Sequence, residues 1–313
     1  MILRAGFCSA IVLIGLFVGT MTSRAEERIG PMRIAVTVDD LPGDLPPGMT
    51  GMAVTRGVVK ALKENGVSRA YGFTNGAIAA NSDLINILRM WLGEGYLLGN
   101  HTYSHMNLDN VGEQDFVADI DKMQNLLDNL VRALDPIESV RFFRYPYLAE
   151  GQTVEKRKAI RHHLFKNGYR IAQVTIDYYD WAWNDAYIRC LARQDEREID
   201  WLKSQIVKHS RLAAFSSRRI SKLLFKRDIA QILLLHDTPF DAVTLGAVLK
   251  DFRQQGVKLI SLDEALEDPV YQIDPNHVFS GGLTFLAQVA AARDVPVDFE
   301  DWSSVGNLDH ICK

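Results

Sequence analysis

The sequence predicts an α/β fold, and its seven candidate strands favour a barrel over an open sheet. Short apolar runs alternate with helix-like stretches from residue 33 to residue 261. Most of these runs are continuously apolar, as expected of parallel strands covered on both faces. Residues able to do chemistry recur at the C-terminal ends of the runs, the face on which α/β barrels assemble their sites.

Taken in order, the candidate strands are Arg33–Val38, Arg69–Phe73, Tyr96–Gly99, Arg141–Phe143, Arg170–Ile176, Gln231–Leu235 and Lys258–Ser261. Between them lie helical patterns. Met52–Asn65 stops at Gly66, a residue suited to the left-handed position that ends helices. Ser82 is placed to cap a helix through Leu92, and Glu113–Leu134 carries apolar residues three or four apart at Phe116, Ile120, Met123, Leu127 and Leu130. Thr153 opens a helix that closes at Gly168, and Ala242–Gln255 closes at Gly256. Residues 182–229 are too long for a simple crossover and read as an inserted helical excursion. The insertion begins acidic and turns basic at Arg211, Arg218, Arg219, Lys222, Lys226 and Arg227. A solvated helix face is the plain reading of that basic run, and a wall for an anionic polymer or acidic lipid the sharper one. In the tail, Phe279–Ala292 is expected to form one more helix packed on the barrel.

Composition narrows the function. The 313 residues carry a net charge of −4, which argues against nucleic acid as the main partner. At the N-terminus, Arg4 precedes the apolar run Ala10–Val18, and Thr22–Ala25 offers a small-residue cleavage site. Residues 1–25 therefore read as a cleaved secretory signal rather than an anchor, the run being short for a membrane span. The mature chain is expected to be secreted or periplasmic, without a stable span. Cys8 would leave with the signal. Cys190 and Cys312 would remain, either paired or as free thiols. The expected layout is a signal over 1–25, a domain over 26–268 with the insertion 182–229, and an extension over 269–313.

The centre of the chemistry is His101-Thr102-Tyr103-Ser104-His105, directly after the third strand. On one helical turn, positions i and i+4 share a face, so both imidazoles can reach one metal ion. Asp39 and Asp40 follow the first strand, where one carboxylate can complete the metal set while its neighbour moves a proton. A zincin would need Glu directly after the first His, and Thr102 stands there. Arg144 follows the fourth strand, Asp177 and Asp180 the fifth, and His236 the sixth.

At these residues the chain resembles the polysaccharide deacetylase family, also called the NodB-homology or carbohydrate esterase 4 group. Thr37-Val38-Asp39-Asp40 looks like the family's first motif, with Val38 in place of the common Phe. His101–His105 fits the second, Arg144-Tyr145-Pro146-Tyr147 the third, Asp177–Trp181 the fourth and Leu234-Leu235-His236 the fifth. Leu148 stands where Gly often follows the third motif. Five motifs in order are specific where one would not be. The resemblance spans residues 30–265 and implies a distorted (β/α)7 barrel.

The same resemblance implies roles. Asp40, His101 and His105 would hold a divalent metal; their oxygen and nitrogen donors suit zinc, with cobalt or nickel as alternatives. Asp39 would be the general base, paired with Arg144, whose charge is expected to lower its pKa. His236 would be the general acid, held by Asp180, with Asp177 in a lesser supporting part. The backbone N–H of Tyr147 would stabilise the oxyanion, and Trp181 and Leu234 would line the acetate pocket. The expected activity is metal-dependent removal of N-acetyl groups from N-acetylhexosamine units of peptidoglycan, chitin-like oligomers or an exopolysaccharide. The alternatives are an O-acetyl (xylan) esterase and a catalytically silent carbohydrate-binding homologue.

Overall fold

The computed structural model describes residues 31–43, 45–76, 83–132, 141–279, 281–299 and 307–313. The expected signal segment and the cap at Ser82 lie outside the described residues.

Seven parallel strands form the sheet. They are β1 (Met32–Asp39), β2 (Tyr71–Thr74), β3 (Leu97–Asn100), β4 (Arg141–Phe143), β5 (Tyr169–Ile171), β6 (Ala230–His236) and β7 (Val257–Ile260). The order is β5-β4-β3-β2-β1-β6. β6 runs along the whole of β1, pairing Arg33 with Ala230 and Asp39 with His236. β2 pairs with the upper part of β1, and β7 with its lower part. A single parallel bridge from Ile176 to Leu233 brings the chain beyond β5 back to β6. The sheet thus curls into a distorted (β/α) barrel, as the alternation of elements predicts. The expected strand over Arg170–Ile176 is shorter than the sequence indicates. The backbone turns after Ile171, where the Gln173 N–H donates back to the Ile171 carbonyl, and it joins a strand again at Thr175 and Ile176, whose N–H groups donate to the Ile232 carbonyl of β6.

The helices between strands are α1 (Gly51–Glu64), α2 (Leu84–Gly93), α3 (Glu113–Arg132), α4 (Val154–Lys166), α5 (Asp180–Arg193), α6 (Glu196–Phe225) and α7 (Pro239–Gln254), and α8 (Leu262–Ala265) follows β7. Their ends follow local chemistry. The side chains of Thr50, Thr153 and Thr238 accept from the first-turn N–H groups of α1, α4 and α7. α7 starts three residues earlier than its apolar pattern indicates, because Thr238 caps it and Pro239 suits the first turn.

Side-chain alternation divides the strands into two faces. Ile34, Val36 and Val38 of β1, with Leu233 and Leu235 of β6, join the core under the helices. Ala35 of β1, Tyr71 and Phe73 of β2, Phe142 of β4 and Ile232 of β6 form a second core inside the barrel. Thr37 and Asp39 share the parity of Ala35, so both face the barrel interior at its C-terminal end.

The stretch read as an insertion is occupied by α5 and the thirty-residue α6. Four of its basic residues are held in ion pairs. Arg211 pairs with Asp251, Arg218 and Lys222 with Asp228, and Arg227 with Asp268. The tail helix α9 covers Phe285–Ala292. It starts later than Phe279, with Thr284 as its side-chain cap. Phe285, Leu286 and Val289 of α9 pack with Ile220 and Leu224 of α6 in a separate small core.

Candidate active site

One cavity of about 550 Å³ opens at the C-terminal ends of the strands. Asp39, Asp40, His101, His105, Tyr147, Asp177, Trp181, Leu234 and His236, all singled out from the sequence, line it. Arg144 and Asp180 lie beneath this layer and act on it through hydrogen bonds.

The two adjacent carboxylates reach the cavity by different means. Asp39 is the last residue of β1 and points inward by strand alternation. Continued alternation would send Asp40 to the opposite face. Instead its φ is +52°, a left-handed conformation unusual for a residue with a Cβ, and the chain turns back. The Asp40 Oδ1 accepts from Asn75 Nδ2 at 2.9 Å. It also stands 3.4 Å from His105 Nε2 and 3.8 Å from His101 Nε2.

His101 and His105 meet without a helix. The expected helical turn is an irregular loop, with Thr102 and His105 at φ of +61° and +51°. Side-chain and backbone acceptors outcompete helical bonding here. Asn100 Oδ1 accepts the Thr102 N–H at 2.9 Å, and the Asp119 side chain of α3 accepts the Ser104 N–H at 2.7 Å. The loop leaves the rings 4.9 Å apart. His101 Nδ1 donates to the Arg144 carbonyl at 2.8 Å, which fixes the tautomer and leaves Nε2 as a lone-pair donor. Burial pushes the His101 pKa down to about 3, so the ring is neutral over the physiological range. Donor atoms of Asp40, His101 and His105 all lie within 4.8 Å of one another. A carboxylate oxygen and two imidazole nitrogens in that arrangement fit a divalent cation.

Beside this triad, Arg144 is fully buried and fixed on every side. Its Nη1 donates to both carboxylate oxygens of Asp39, at 3.0 and 3.1 Å. Nη2 donates to Thr37 Oγ1 at 3.0 Å, and Nε to the Ala172 carbonyl at 2.6 Å. The pair expected from the motif is present, and Arg144 acts on the Asp39 pKa in the expected downward direction, but burial outweighs it. Burial pushes the Asp39 carboxyl above its ordinary value, and Arg144 recovers only part of that shift.

His236 lies opposite Asp39 in the β1–β6 ladder. Its Nδ1 donates to Asp180 Oδ1 at 2.8 Å, and its backbone N–H to Asp180 Oδ2 at 2.6 Å. Burial would lower the imidazole pKa. The carboxylates of Asp180, Asp40 and Asp39 outweigh it and hold the ring well above its ordinary value. Asp180 opens α5 immediately after Tyr179, which has a left-handed φ of +57°. Asp177 Oδ1 accepts the Tyr179 N–H at 2.8 Å, so it shapes this turn as well as lining the cavity. Burial raises its pKa to about 6.

Tyr147, at φ +56°, sits on the rim with more than half of its surface exposed, and its ring is 4.6 Å from that of His105. Trp181 is likewise exposed at the rim, whereas Leu234 is buried in the wall. Sequence reasoning gave no role to Thr37, although it opens the first motif, and missed the supports Asn75 and Asp119, which belong to none of the five motifs. It also missed Ser217 of α6 and the tail residues Leu283, Thr284, Ala287 and Phe299, which line the same cavity.

The model of the polysaccharide deacetylase family matches residues 27–171, a little under half of the chain. A chitin deacetylase from Arthroderma benhamiae is 27% identical over 133 residues, covering 42% of this chain and 32% of that protein. A peptidoglycan-N-acetylglucosamine deacetylase from Bacillus cereus is 28% identical over 148 residues, covering 47% of this chain and 46% of that protein. The chain thus spans less than half the length of either relative. In fold, it is similar to the crystal structure of a Bacillus cereus polysaccharide deacetylase, with a TM-score of 0.51 at 20% identity, covering 74% of this chain and 91% of that one.

Proposed function

From the place of residues 27–171 in the polysaccharide deacetylase family, we propose that this chain is a metal-dependent hydrolase removing N-acetyl groups from N-acetylhexosamine units of a glycan. The observation that carries the reading is the pairing of Asp39 with His236 across the β1–β6 ladder, with Asp40, His101 and His105 beside them in one cavity. An amide hydrolase needs a base for the attacking water and an acid for the departing nitrogen, on either side of one carbonyl.

The residues divide the work as follows. Asp40, His101 and His105 hold the cation. Zinc suits these donors, and cobalt or nickel are the alternatives. When bound there, the cation supplies Lewis-acid polarisation of the acetyl carbonyl and acidifies water. Asp39, positioned by Arg144, accepts the proton of the attacking water. The backbone N–H of Tyr147 faces the developing oxyanion. His236, held protonated by Asp180, donates its proton to the leaving nitrogen, since an amine is expelled far more readily than an amide anion. Trp181 and Leu234 enclose the acetyl methyl group.

The chain is read as working outside the cytosol. The disulfide between Cys190 and Cys312 supports an oxidising compartment. No helix among the described residues is long and apolar enough to cross a membrane.

The test is acetate release by the purified protein, stripped of metal and reloaded with zinc or cobalt. Chitooligosaccharides, peptidoglycan and acetylxylan are offered side by side. Metal-dependent acetate from an N-acetyl substrate is the expected result. Acetate from xylan alone would move the protein to the esterases, and sugar binding without release from any of them would make it a binding protein.

A further inference from the structure

The tail beyond α8 is fastened across the mouth of the barrel at successive points. The Gly281 N–H donates to Asp109 in the segment after β3, at 3.1 Å. The Gly282 backbone lies directly against the carbonyl of Tyr147, after β4. The Phe285 N–H donates to the Val174 carbonyl, after β5, at 2.7 Å. α9 then packs on α6, and Arg219 of α6 donates to the Asp298 carbonyl at 3.2 Å. The chain ends tied to α5 by the Cys190–Cys312 bond, with Arg189 donating to the Leu308 and Ile311 carbonyls. Three consecutive strand-end segments are therefore crossed by one continuous strap. Its inner side, Leu283, Thr284, Ala287 and Phe299, together with Ser217 of α6, forms cavity wall.

A site that deacetylates an internal unit of a long glycan needs an open path on both sides of the catalytic centre, because the polymer must enter and leave. Here the arc of the rim from β3 to β5 is fenced, and the fence is anchored at both ends. Its wall is largely apolar, so it offers little to replace the hydrogen bonds of a glycan threaded past it. Resting on the deacetylase reading, we propose that the strap formed by residues 281–299 blocks one direction of the cleft and makes the enzyme end-acting. It takes short acetylated oligosaccharides, or the terminal units of a chain, in preference to internal units.

The experiment uses the full metal-loaded chain and a five-unit oligomer of N-acetylglucosamine, with deacetylated positions read by tandem mass spectrometry. Acetate loss confined to the units at one end is expected, with polymeric chitin yielding acetate only in proportion to its chain ends. Leu283→Ala combined with Phe299→Ala thins the wall and should raise the internal share of deacetylation about tenfold, the scale set by small changes in an apolar pocket. Both side chains are only partly buried, and a melting curve together with bound metal reports whether the variant is folded. Leu283→Ala alone is the milder second variant. Deacetylation spread evenly over internal units by the unmodified protein overturns the proposal and leaves the deacetylase reading standing. No acetate from any N-acetyl substrate overturns both.

Discussion

Arg144 and Asp39 lie 105 residues apart in sequence, and one guanidinium nitrogen bridges both oxygens of the carboxylate, with both side chains almost wholly buried. Asp39→Asn keeps the shape of the side chain and removes its capacity to take a proton. Acetate release should fall by about 10²- to 10⁴-fold, the range of general-base contributions. Metal content, measured by elemental analysis, should stay unchanged. Full turnover in this variant would refute the assignment of the base. Arg144→Leu acts differently, because it leaves a carboxylate buried without its partner. It should cost about 3–5 kcal/mol of stability in a denaturant titration.

The His236–Asp180 pair sets a pH dependence. The folded imidazole titrates well above its ordinary value of 6.5, chiefly because of Asp180. The acid form therefore persists through neutral pH, and the rate should fall as pH rises through the elevated value. The stabilisation from this shift is complete below pH ~6.5 and fades over the same alkaline window. Asp180→Asn removes the charge that raises the pKa. The alkaline limb of the kcat/KM profile should move down by roughly 1–3 pH units. An unmoved limb would mean that another group donates the proton.

Metal loading tests the triad. His101→Ala with His105→Ala leaves one carboxylate where three donors stood, so the cation should be lost and activity should not return when zinc or cobalt is added. Unchanged metal stoichiometry in that variant would place the ligands elsewhere.

The sequence stated some parts of this site more openly than others. Strand positions were readable because continuous apolar runs have few uses other than a covered parallel sheet, and residues just beyond such runs face one end of the barrel. Asp39, His101, Arg144 and His236 were legible for that reason. Backbone geometry was not. Asp40 reaches the cavity through a left-handed φ, and His105 through a loop stitched to Asn100 and Asp119, where i,i+4 spacing pointed to a helix. Left-handed conformations at Asp, Thr and His leave no compositional mark of the kind glycine leaves. For Asp39 the sequence displays the lowering charge of its partner Arg144 but not the depth of burial that opposes it. Tail residues at the cavity escaped notice because Leu283 and Phe299 look like ordinary packing residues until the strap is seen crossing the rim.

The Cys190–Cys312 bond closes a separation of 122 residues and ties the last turn of the chain to α5. In the chain-entropy account, a loop of this length is worth up to about 5 kcal/mol. Cys312→Ser should lower the melting temperature, and reductant should lower that of the unmodified protein to the same level while leaving the variant unaffected. Equal melting curves for all four samples would show that the thiols are unpaired in solution.

Gly282 offers the sharpest single test of the contact between tail and catalytic loop. A Cβ at this position would stand 1.6 Å from the carbonyl oxygen of Tyr147. That oxygen belongs to backbone already turned into a left-handed conformation, so it cannot swing aside as a flexible side chain would. Gly282→Ala must displace either the strap or the Tyr147 loop. Crowding of this kind costs about 1–3 kcal/mol. Because the Tyr147 N–H is assigned to the oxyanion, a shift of about 1 Å in the loop should also lower kcat by about 10²-fold. Displacement of the strap alone would instead spare kcat and release the restriction to chain ends. A variant with the original rate, positional preference and melting temperature would mean that the tail does not press on Tyr147 in solution.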